Sequence, residues 1–403
     1  MTLLNTKIYD FVVIGAGIIG LSVAKELTEQ FPRAKIALLE KEKTIGLHAS
    51  GRNSGVLHSG IYYPQDSLKA AVCSEGAKRM RCFAGEHNIS CITTGKVIIA
   101  TCENDLPSLE RLLKNAADNK IRAERLNEDD IKRIEPYASV FQQGIYTPDT
   151  ASIDSKKVLD VLLHINLSRG VELYLEHEVV AINEQSKRMT TSRNHFNYGY
   201  LYNCAGAGTD KIAKMVNLAK DYILLPFKGI YYKLKNERKY LVKSHIYPAP
   251  NLNLPFLGVH FTRSIDGSVY VGPTAIPAFG RENYGMIKGM STEVFSITKY
   301  IALLYWANQQ NFRALIHSEI KKYAKPYFMR AAKQLIHTVE ASDLQTSNKV
   351  GIRPQLVNTV KKKLEMDYII EQNATSMHVL NAISPAFTSA FCFAEWLIGR
   401  MKK

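Results

Sequence analysis

Several features that would assign a protein to a special class are absent from this sequence. No stretch reaches twenty uninterrupted apolar residues, the length that a membrane-spanning helix needs. There is no internal repeat and no low-complexity tract. A strand-like segment already begins at about residue 8, so we expect no cleaved secretory signal. What remains is an ordinary globular composition, and 403 residues are enough for two or three domains.

Cysteine is scarce, and its spacing matches no metal-binding or redox motif. The sequence has 6 cysteines, none of them in a C-x-x-C pair or at a spacing typical of metal ligands. We therefore expect no metal centre and a reducing compartment, which places the protein in the cytoplasm.

Acidic residues are too few to balance the basic ones, since 37 Asp and Glu stand against 52 Lys and Arg. The formal net charge of +15 attracts anions, and three partners fit it: nucleic acid, an acidic membrane surface or an anionic substrate. A basic surface without any partner fits it as well. No zinc finger, aromatic RNA-binding motif or arginine-rich tail is present, so nucleic acid is disfavoured.

The segment 287–336 combines many aromatic side chains with lysine and arginine. Helices of this composition are typical of surfaces that rest on an anionic bilayer, which would place the protein at the inner face of the cell membrane. The same helices could equally pack into the core of a second domain. The sequence leaves both interpretations open.

What the sequence does contain is a glycine-rich turn between a strand and a helix. The pattern indicates a buried strand over 8–14, a helix over 18–30 and a second strand over 35–39. The run 15–20 reads Gly-Ala-Gly-Ile-Ile-Gly and lies at the first junction. In this context a G-x-G-x-x-G motif predicts a dinucleotide-binding βαβ unit.

Each residue of the motif has a physical task. Gly15 makes the tight turn, Gly17 lets the backbone approach a pyrophosphate, and Gly20 allows close packing of helix and strand. The phosphates would lie at the positive N-terminal end of the helix. Glu40 would accept hydrogen bonds from a ribose diol and repel a 2′-phosphate, although the neighbouring Lys41 weakens that argument.

The pattern along the chain predicts two domains built from alternating segments. We expect a dinucleotide-binding α/β domain of the Rossmann-like, glutathione-reductase type, interleaved with an α+β substrate domain on a mainly antiparallel sheet. Strands over 171–175 and 178–182 are predicted to pair with each other. The predicted cofactor domain comprises 1–90, 145–225 and 345–403, and the predicted substrate domain comprises 91–144 and 226–344.

Several longer runs resemble one family. The chain resembles FAD-dependent oxidoreductases of the D-amino-acid-oxidase type over nearly its whole length, and within them it is most similar to the L-2-hydroxyglutarate dehydrogenases and oxidases. One departure is Ala386, where glycine is usual before the last helix. The runs that carry the resemblance are 15–20, 48–63, 203–206, 226–234, 255–262, 267–273, 351–356 and 384–390.

The resemblance implies FAD as the cofactor, which also fits the lack of a second G-x-G-x-x-G motif. A polar loop would meet the pyrophosphate and the flavin, and further backbone positions would approach the adenine and the ring system. Thr388 and Ser389 open the last helix, whose dipole would stabilise a reduced, anionic flavin. The remaining residues implied as cofactor-binding are Lys41, Ser50, Arg52, Asn53, Ser54, Val180, Ala205, Gly206 and Gly351.

The substrate implied is a small anionic 2-hydroxy acid. Its oxidation needs a base for the hydroxyl proton, and His260 and His58 are the candidates, ahead of His48 and His378. Arg353 and Lys228 are candidates for holding two carboxylates. Three tyrosines are pocket candidates without separate roles: Tyr62, Tyr231 and Tyr247.

The predicted function is oxidation of L-2-hydroxyglutarate to 2-oxoglutarate by hydride transfer to FAD. The electrons would then pass to a membrane quinone or to oxygen. The same fold acting on an amino acid or on glycerol 3-phosphate is the alternative. A flavoprotein that binds and modifies tRNA is an alternative of another class.

Overall fold

A computed structural model describes residues 7–251 and 254–401. The helices in this part of the chain are α1 (Ile18–Gln30), α2 (Leu68–Glu86), α3 (Leu106–Asp118), α4 (Glu128–Ile134), α5 (Ser155–Ser168), α6 (Thr209–Lys214), α7 (Val294–Ala307), α8 (Phe312–Lys321), α9 (Lys325–Leu335) and α10 (Ala386–Met401). The strands are β1 (Ile8–Ile14), β2 (Ile36–Leu39), β3 (Val56–Leu57), β4 (Cys91–Thr93), β5 (Lys96–Ile99), β6 (Glu124–Asn127), β7 (Gln143–Thr147), β8 (Ala151–Ile153), β9 (Glu172–Tyr174), β10 (Val179–Asn183), β11 (Arg188–Thr191), β12 (His195–Asn203), β13 (Tyr222–Leu234), β14 (His245–Pro248), β15 (His260–Arg263), β16 (Val269–Gly272), β17 (Ile276–Pro277), β18 (Leu344–Asn358), β19 (Lys363–Leu364), β20 (Ile370–Gln372) and β21 (Ser376–Val379).

The first sheet has a parallel core in the order β9-β2-β1-β12-β21. Its central strands are apolar because both faces are covered, as parallel sheets require. On one face α1, α2, α5 and α10 enclose the largest hydrophobic cluster. The predicted strand–turn–helix–strand unit is confirmed, with the bounds of β1 and α1 as expected from the sequence.

The predicted pairing of the strands over 171–175 and 178–182 is wrong. β9 pairs in parallel with β2, whereas β10 pairs antiparallel with β11, and β11 pairs with the first half of β12. Adjacent segments with a short connection suggested a hairpin, but the edge of β2 is a better partner for β9. The two strands therefore lie at opposite ends of the sheet.

The second sheet has the order β19-β18-β13-β16-β15-β14-β5-β7-β6, with β17 on β13. Every pair is antiparallel except β14 with β5. This confirms the predicted mainly antiparallel sheet. β13 and β18 are its longest strands and pair over most of their length.

The two sheets alternate along the chain. Strands of the first come from 8–39, 172–203 and 370–379, and strands of the second from 96–99, 124–147, 222–277 and 344–364. This is the interleaved α/β and α+β architecture expected from the sequence. The residue numbers of the predicted domain boundaries stay a prediction.

The helices of the segment 287–336 each bury one side. Ile297 and Leu304 of α7, together with residues of α8, pack on β13 and β18, while Phe328 and Leu335 of α9 pack on the strands around β15. The other side of α7 is exposed, with Phe295 at 79% and Trp306 at 74%. Within the described residues no helix is both long and apolar enough to cross a bilayer.

Candidate functional site

A cavity of about 790 Å³ opens at the carboxyl ends of the parallel strands and continues to the second sheet. Its lining begins at Ile14 and Leu39, the last residues of β1 and β2, and extends to His260 and Arg353. The edge where parallel strands end is where α/β sheets bind ligands. The cavity therefore joins the predicted cofactor residues to the predicted substrate residues.

The glycine turn lies at one end of this cavity, and each glycine meets a close neighbour. Gly15 has φ +97°, and a Cβ there would lie 2.6 Å from the Cys204 carbonyl oxygen. A Cβ on Gly20 would lie 1.8 Å from the Gly15 carbonyl oxygen, and one on Gly17 would lie 2.9 Å from Ser50 Oγ. A side chain at Gly15 or Gly20 would displace the backbone of the turn that leads into α1, and one at Gly17 would displace Ser50 Oγ.

Glu40 follows β2 and is held rigidly at the wall of the cavity. One of its oxygens accepts a hydrogen bond from Ala16 N at 2.9 Å and the other from Glu42 N at 3.1 Å. The residue is 8% exposed. Its carboxylate is thus fixed beside the glycine turn, where a ribose diol is expected.

Lys41 also lines the cavity, and its ammonium bridges Glu42 and Glu282. Ligand atoms of Glu42, His48 and Glu282 lie within 4.8 Å of one another, a grouping that could suggest a metal site. The lysine ammonium binds both carboxylates, so the positive charge at this place comes from the chain itself. The cluster joins the loop before α2 to the segment that follows β17.

The polar loop predicted from the sequence is built on the N-terminus of α1. Ser50 Oγ accepts a hydrogen bond from Ile18 N at 2.9 Å, and Asn53 Nδ2 donates to Ser50 O at 2.6 Å. Arg52 donates from Nε to Leu47 O at 2.8 Å. Ser50, Arg52 and Asn53 line the cavity together with Ser54.

A loop over 279–291 covers part of the cavity. The sequence analysis did not predict that this segment contributes to the site. Arg281 forms an ion pair with Asp210, and the ring of Tyr284 lies under the Arg52 guanidinium at 4.1 Å. The hydroxyl of Tyr284 is 2.7 Å from His48 Nδ1. These contacts attach the loop to α6 and to the polar loop before α2.

Lys228, on β13, binds this loop and does not line the cavity. Its ammonium donates to Asn283 Oδ1 at 3.0 Å and to the Gly285 carbonyl at 2.6 Å. Phe227, Gly229 and Tyr231 line the cavity instead. Successive residues of a strand face opposite sides, so when these three face the cavity, Lys228 faces away.

Four of the other predicted cofactor residues line the cavity: Ala205, Gly206, Gly351 and Thr388. The side chain of Val180 is 51% exposed, and its neighbour Val179 lines the cavity in its place. Ser389 is fully buried, with its hydroxyl 2.9 Å from that of Tyr368. The structure thus does not bring the side chains of Val180 and Ser389 into the site.

His260 lies at the far end of the cavity, at the start of β15. Its ring stacks on Tyr247, with centroids 3.8 Å apart and planes inclined by 24°. Nδ1 is 2.9 Å from the Gly258 carbonyl oxygen, which can only accept, so Nδ1 carries the proton and Nε2 has a free lone pair. Burial lowers the pKa of His260 to about 4, which keeps the ring neutral near pH 7.

His58 also lines the cavity, on the loop that precedes α2. Its backbone N–H donates to Thr388 Oγ1 at 3.2 Å, which ties this loop to the first turn of α10. Burial, followed by the charge of Lys96, lowers the pKa of His58 to about 3. Both candidate bases are therefore neutral in the folded protein.

The two lesser histidine candidates have structural surroundings. His378 is fully buried between Asn203 and Ser376, each at 2.9 Å from one ring nitrogen. His48 is hydrogen-bonded to Tyr284 and Glu42. Neither has a free ring nitrogen directed at the substrate end.

Arg353 lines the same end of the cavity from β18, with its guanidinium 5.0 Å from the centre of the Phe256 ring. Among the described residues no carboxylate forms a salt bridge with it. Burial lowers the pKa of Arg353, but a guanidinium keeps its proton at any physiological pH. It is thus a cation free to bind a carboxylate.

Sequence reasoning missed two buried residues behind this wall, Lys96 and His245. Both are 0% exposed. Lys96 Nζ is 4.6 Å from the centre of the Tyr62 ring and 5.2 Å from that of Tyr247. A lone lysine within the apolar run 96–100 was the signal that could have revealed it, since lysine is seldom fully buried. Tyr62 itself does not line the cavity.

These residues fit FAD. Glycines admit a phosphate backbone at the N-terminus of α1, a fixed carboxylate stands at the ribose position, and the cavity reaches the N-terminus of α10. An extended dinucleotide could contact both helix ends. The substrate end beyond it carries a neutral histidine and a free guanidinium.

Comparison with known proteins finds relatives in sequence and in fold. The chain is 36% identical over 405 residues to the L-2-hydroxyglutarate dehydrogenase of Indibacter alkaliphilus, covering 97% of this chain and 99% of that protein. It is 32% identical to the mitochondrial L-2-hydroxyglutarate dehydrogenase of Homo sapiens, covering 99% and 90%. The fold resembles that of L-α-glycerophosphate oxidase from Mycoplasma pneumoniae, with a TM-score of 0.77 at 19% identity over 98% of this chain and 95% of the other.

The family model described as "FAD dependent oxidoreductase" matches residues 10–400. That match includes the glycine turn, the polar loop and the start of α10. The chain belongs to this family of FAD-dependent oxidoreductases.

Proposed function

We propose that this protein oxidises L-2-hydroxyglutarate to 2-oxoglutarate. The observation that carries the proposal is the pairing, at the far end of the cavity, of a neutral histidine with a free Nε2 and an arginine without a carboxylate partner. A 2-hydroxy acid offers the hydroxyl proton and the carboxylate that these two groups fit. The relatives named above, over 90% or more of their length, support the same substrate.

The chain's own residues would prepare the substrate for oxidation. Arg353 binds a carboxylate with its planar guanidinium and so fixes the orientation of the α-carbon. His260 Nε2 accepts the hydroxyl proton, while the Gly258 carbonyl holds the ring through Nδ1. FAD, when bound, supplies an acceptor for the hydride that leaves the α-carbon. The products would be 2-oxoglutarate, a proton on His260 and a hydride, with its electron pair, taken up by the cofactor.

The neutral state of His260 is essential to this role. A histidine with its ordinary pKa is partly protonated near pH 7 and then cannot accept a proton. Burial lowers the pKa of His260, so that the base is ready over the whole neutral range. A bound dianion would favour the imidazolium that forms during the reaction.

The proposal is tested by anaerobic mixing of the FAD-loaded protein with single substrates. We expect L-2-hydroxyglutarate to bleach the flavin absorbance, and D-2-hydroxyglutarate, L-lactate, glycerol 3-phosphate and amino acids to leave it unchanged on the same time scale. Bleaching by glycerol 3-phosphate or an amino acid alone would replace the proposed substrate. Failure of all of them would remove the proposal.

We further propose that the electron acceptor is a membrane quinone and that α7 contacts the bilayer. Phe295, Lys299 and Trp306 lie at i, i+4 and i+11 of α7, which places them on one side of the helix. All three are exposed, and Met286 and Ile287 in the preceding loop are exposed at 86% and 79%. Large exposed apolar side chains next to lysine support an anionic bilayer as the partner.

Co-sedimentation with vesicles that contain anionic lipid tests this contact. We expect the wild-type protein to bind at low salt and the double variant Phe295→Ser, Trp306→Ser to lose most of the binding. Val360→Ser is the control, because Val360 is a 68% exposed apolar residue in the turn between β18 and β19, outside α7. Equal binding of all three would refute the α7 contact, and rapid turnover with oxygen alone would refute the quinone.

A further inference from the structure

Lys96 shares one face of the second sheet with the candidate base. Lys96 on β5 pairs with His245 on β14, which pairs with Thr262 on β15. Directly paired residues point to the same side, and so do residues two apart on one strand. The face that carries Lys96 therefore also carries Tyr247 and His260.

The ammonium group of Lys96 is buried without a partner. The residue is 0% exposed, and Nζ has no hydrogen-bond partner in the described part of the chain. The Lys96 ammonium lies over the ring faces of Tyr62 and Tyr247. The hydroxyl of Tyr62 is buried and unpartnered as well. A buried cation held only by aromatic faces remains poorly compensated.

The titratable groups that face Lys96 offer no negative charge at neutral pH. They are His58 and Tyr62 on the loop before α2, Cys73 on α2, His245 and Tyr247 on β14, and His260 on β15. Burial lowers the pKa of each histidine and raises the pKa of the tyrosines and of Cys73. Lys96 is thus the one group of this set that changes its charge between pH 6 and 9, since burial lowers its pKa to about 7.

Lys96 stands one layer behind the cavity. Tyr247 and His260 line the cavity and stack on each other, while Lys96 does not reach its surface. Through a dry aromatic layer a charge is weakly screened, and its field extends to a ligand on the other side. Arg353 lies on a different strand, β18, and contributes the second positive charge at this end.

We propose that Lys96 is a positioning residue that selects dianionic substrates. Its charge draws one carboxylate to the Tyr247–His260 wall, while Arg353 holds the other. The inference deepens the proposed function and rests on it for the identity of the substrate. It predicts that a five-carbon dicarboxylate binds better than a monocarboxylate of the same length.

The test measures equilibrium binding of glutarate and pentanoate to the oxidised FAD-loaded protein, followed by the change in flavin absorbance. We expect wild type at pH 6.5 to bind glutarate at least about tenfold more tightly than pentanoate, and Lys96→Met to reduce this ratio about tenfold. In wild type the ratio should fall as pH rises from 6 to 9, because Lys96 loses its proton. In Lys96→Met the fall should be clearly smaller, and any remainder would come from Lys69, because burial lowers the pKa of Lys69 to about 7 as well.

Lys349→Met is the matched control. Lys349 also lies over two tyrosine rings, Tyr270 at 4.3 Å and Tyr231 at 5.5 Å. Burial lowers its pKa to about 8, whereas the nearby Asp266 favours the charged form and compensates its charge. We expect this variant to keep the binding ratio within about twofold. An equal loss in both variants would overturn the specific role of Lys96.

Three further outcomes are informative. If Lys96→Met does not retain FAD, the pH profile of the ratio in a Lys69→Met protein decides, because Lys69 titrates in the same range, and a flat profile there overturns the proposal. Binding does not depend on turnover, so a dianion preference without flavin reduction by L-2-hydroxyglutarate would refute the proposed substrate and leave the role of Lys96 intact. An unchanged ratio in a folded Lys96→Met protein would refute the role of Lys96 alone.

Discussion

The imidazole of His260 lies nearly parallel to the ring of Tyr247, with 3.8 Å between the centroids. Tyr247 covers one face of the histidine, and the Gly258 carbonyl holds Nδ1. The remaining nitrogen, Nε2, therefore has a fixed direction. This pair sets the geometry of the proposed proton transfer.

His260→Ala should slow flavin reduction by L-2-hydroxyglutarate by about 100-fold or more, with FAD still bound. His58→Ala should have a smaller effect, because the backbone contact of residue 58 to Thr388 does not need the imidazole. Anaerobic stopped-flow absorbance measures both rates. A larger loss in His58→Ala would transfer the role of base to His58.

Lys228→Met should weaken FAD binding and not substrate binding. The variant removes two buried hydrogen bonds that an ammonium donates to the loop over 279–291, an effect of about tenfold or more in affinity. Flavin fluorescence on dilution measures the release of FAD. Lys288→Met, at an exposed position of the same loop, should behave as wild type. A change confined to the Michaelis constant would instead restore Lys228 as a substrate ligand.

Gly15→Ala should abolish FAD binding. The residue has φ +97°, and the new methyl group would meet the Cys204 carbonyl oxygen at 2.6 Å. Gly399→Ala is the control, because nothing lies within 4 Å of a Cβ at that position of α10. There the helix should gain up to about 1 kcal/mol from the better helix former. FAD content after purification and thermal unfolding give both answers, and a yellow, stable Gly15→Ala protein would contradict the site.

The folded protein should lose stability on mild acidification. Burial lowers the pKa of His245 to about 3 and that of His378 to about 4, while the unfolded chain takes up protons near pH 6.5. Below pH 6.5 the unfolded state therefore binds more protons, and each histidine lowers the free energy of unfolding by about 1.4 kcal/mol per pH unit. The loss levels off below the folded-state pKa values.

Thermal unfolding between pH 7.5 and 5, with excess FAD, checks this dependence. His245→Asn should reduce the fall in melting temperature, because one proton-binding difference is removed. His337→Asn, at an exposed histidine, should leave the fall unchanged. Identical pH dependence in His245→Asn and wild type would show that His245 is not held neutral.

The local pattern of the sequence was enough for the first strand, the first helix and the strand that follows it. The period of the apolar residues predicted β1 and α1 with their bounds. The runs that resemble the family singled out His58, His260 and Arg353, and the structure places all three at one cavity. Interactions between distant segments were harder. The wrong pairing of β9 and β10 arose because the true partner of β9 is β2, which no local rule connects to it.

Lys228, which does not line the cavity, and Lys96, which sequence reasoning missed, share one explanation. Lys228 lies within a family-like run, but the side of β13 that it faces depends on which neighbours pack against the cavity. Lys96 belongs to a strand whose partners, β7 and β14, come much later in the chain. In both cases residue type was visible in the sequence, whereas the direction of the side chain required the sheet register.

That register links the two halves of the site mechanically. Gly351, which lines the cavity against the Arg52 backbone, and Arg353 lie two residues apart on β18, and β13 pairs with both. Two residues along a strand span about 6.6 Å, a separation that side-chain motion cannot alter. β18 therefore fixes the distance between the backbone at Gly351, which lines the cofactor part of the cavity, and the backbone at Arg353, which carries the carboxylate-binding guanidinium. An insertion or deletion anywhere in 351–353 would change the reach of the substrate toward the cofactor, even if both sites kept their affinity.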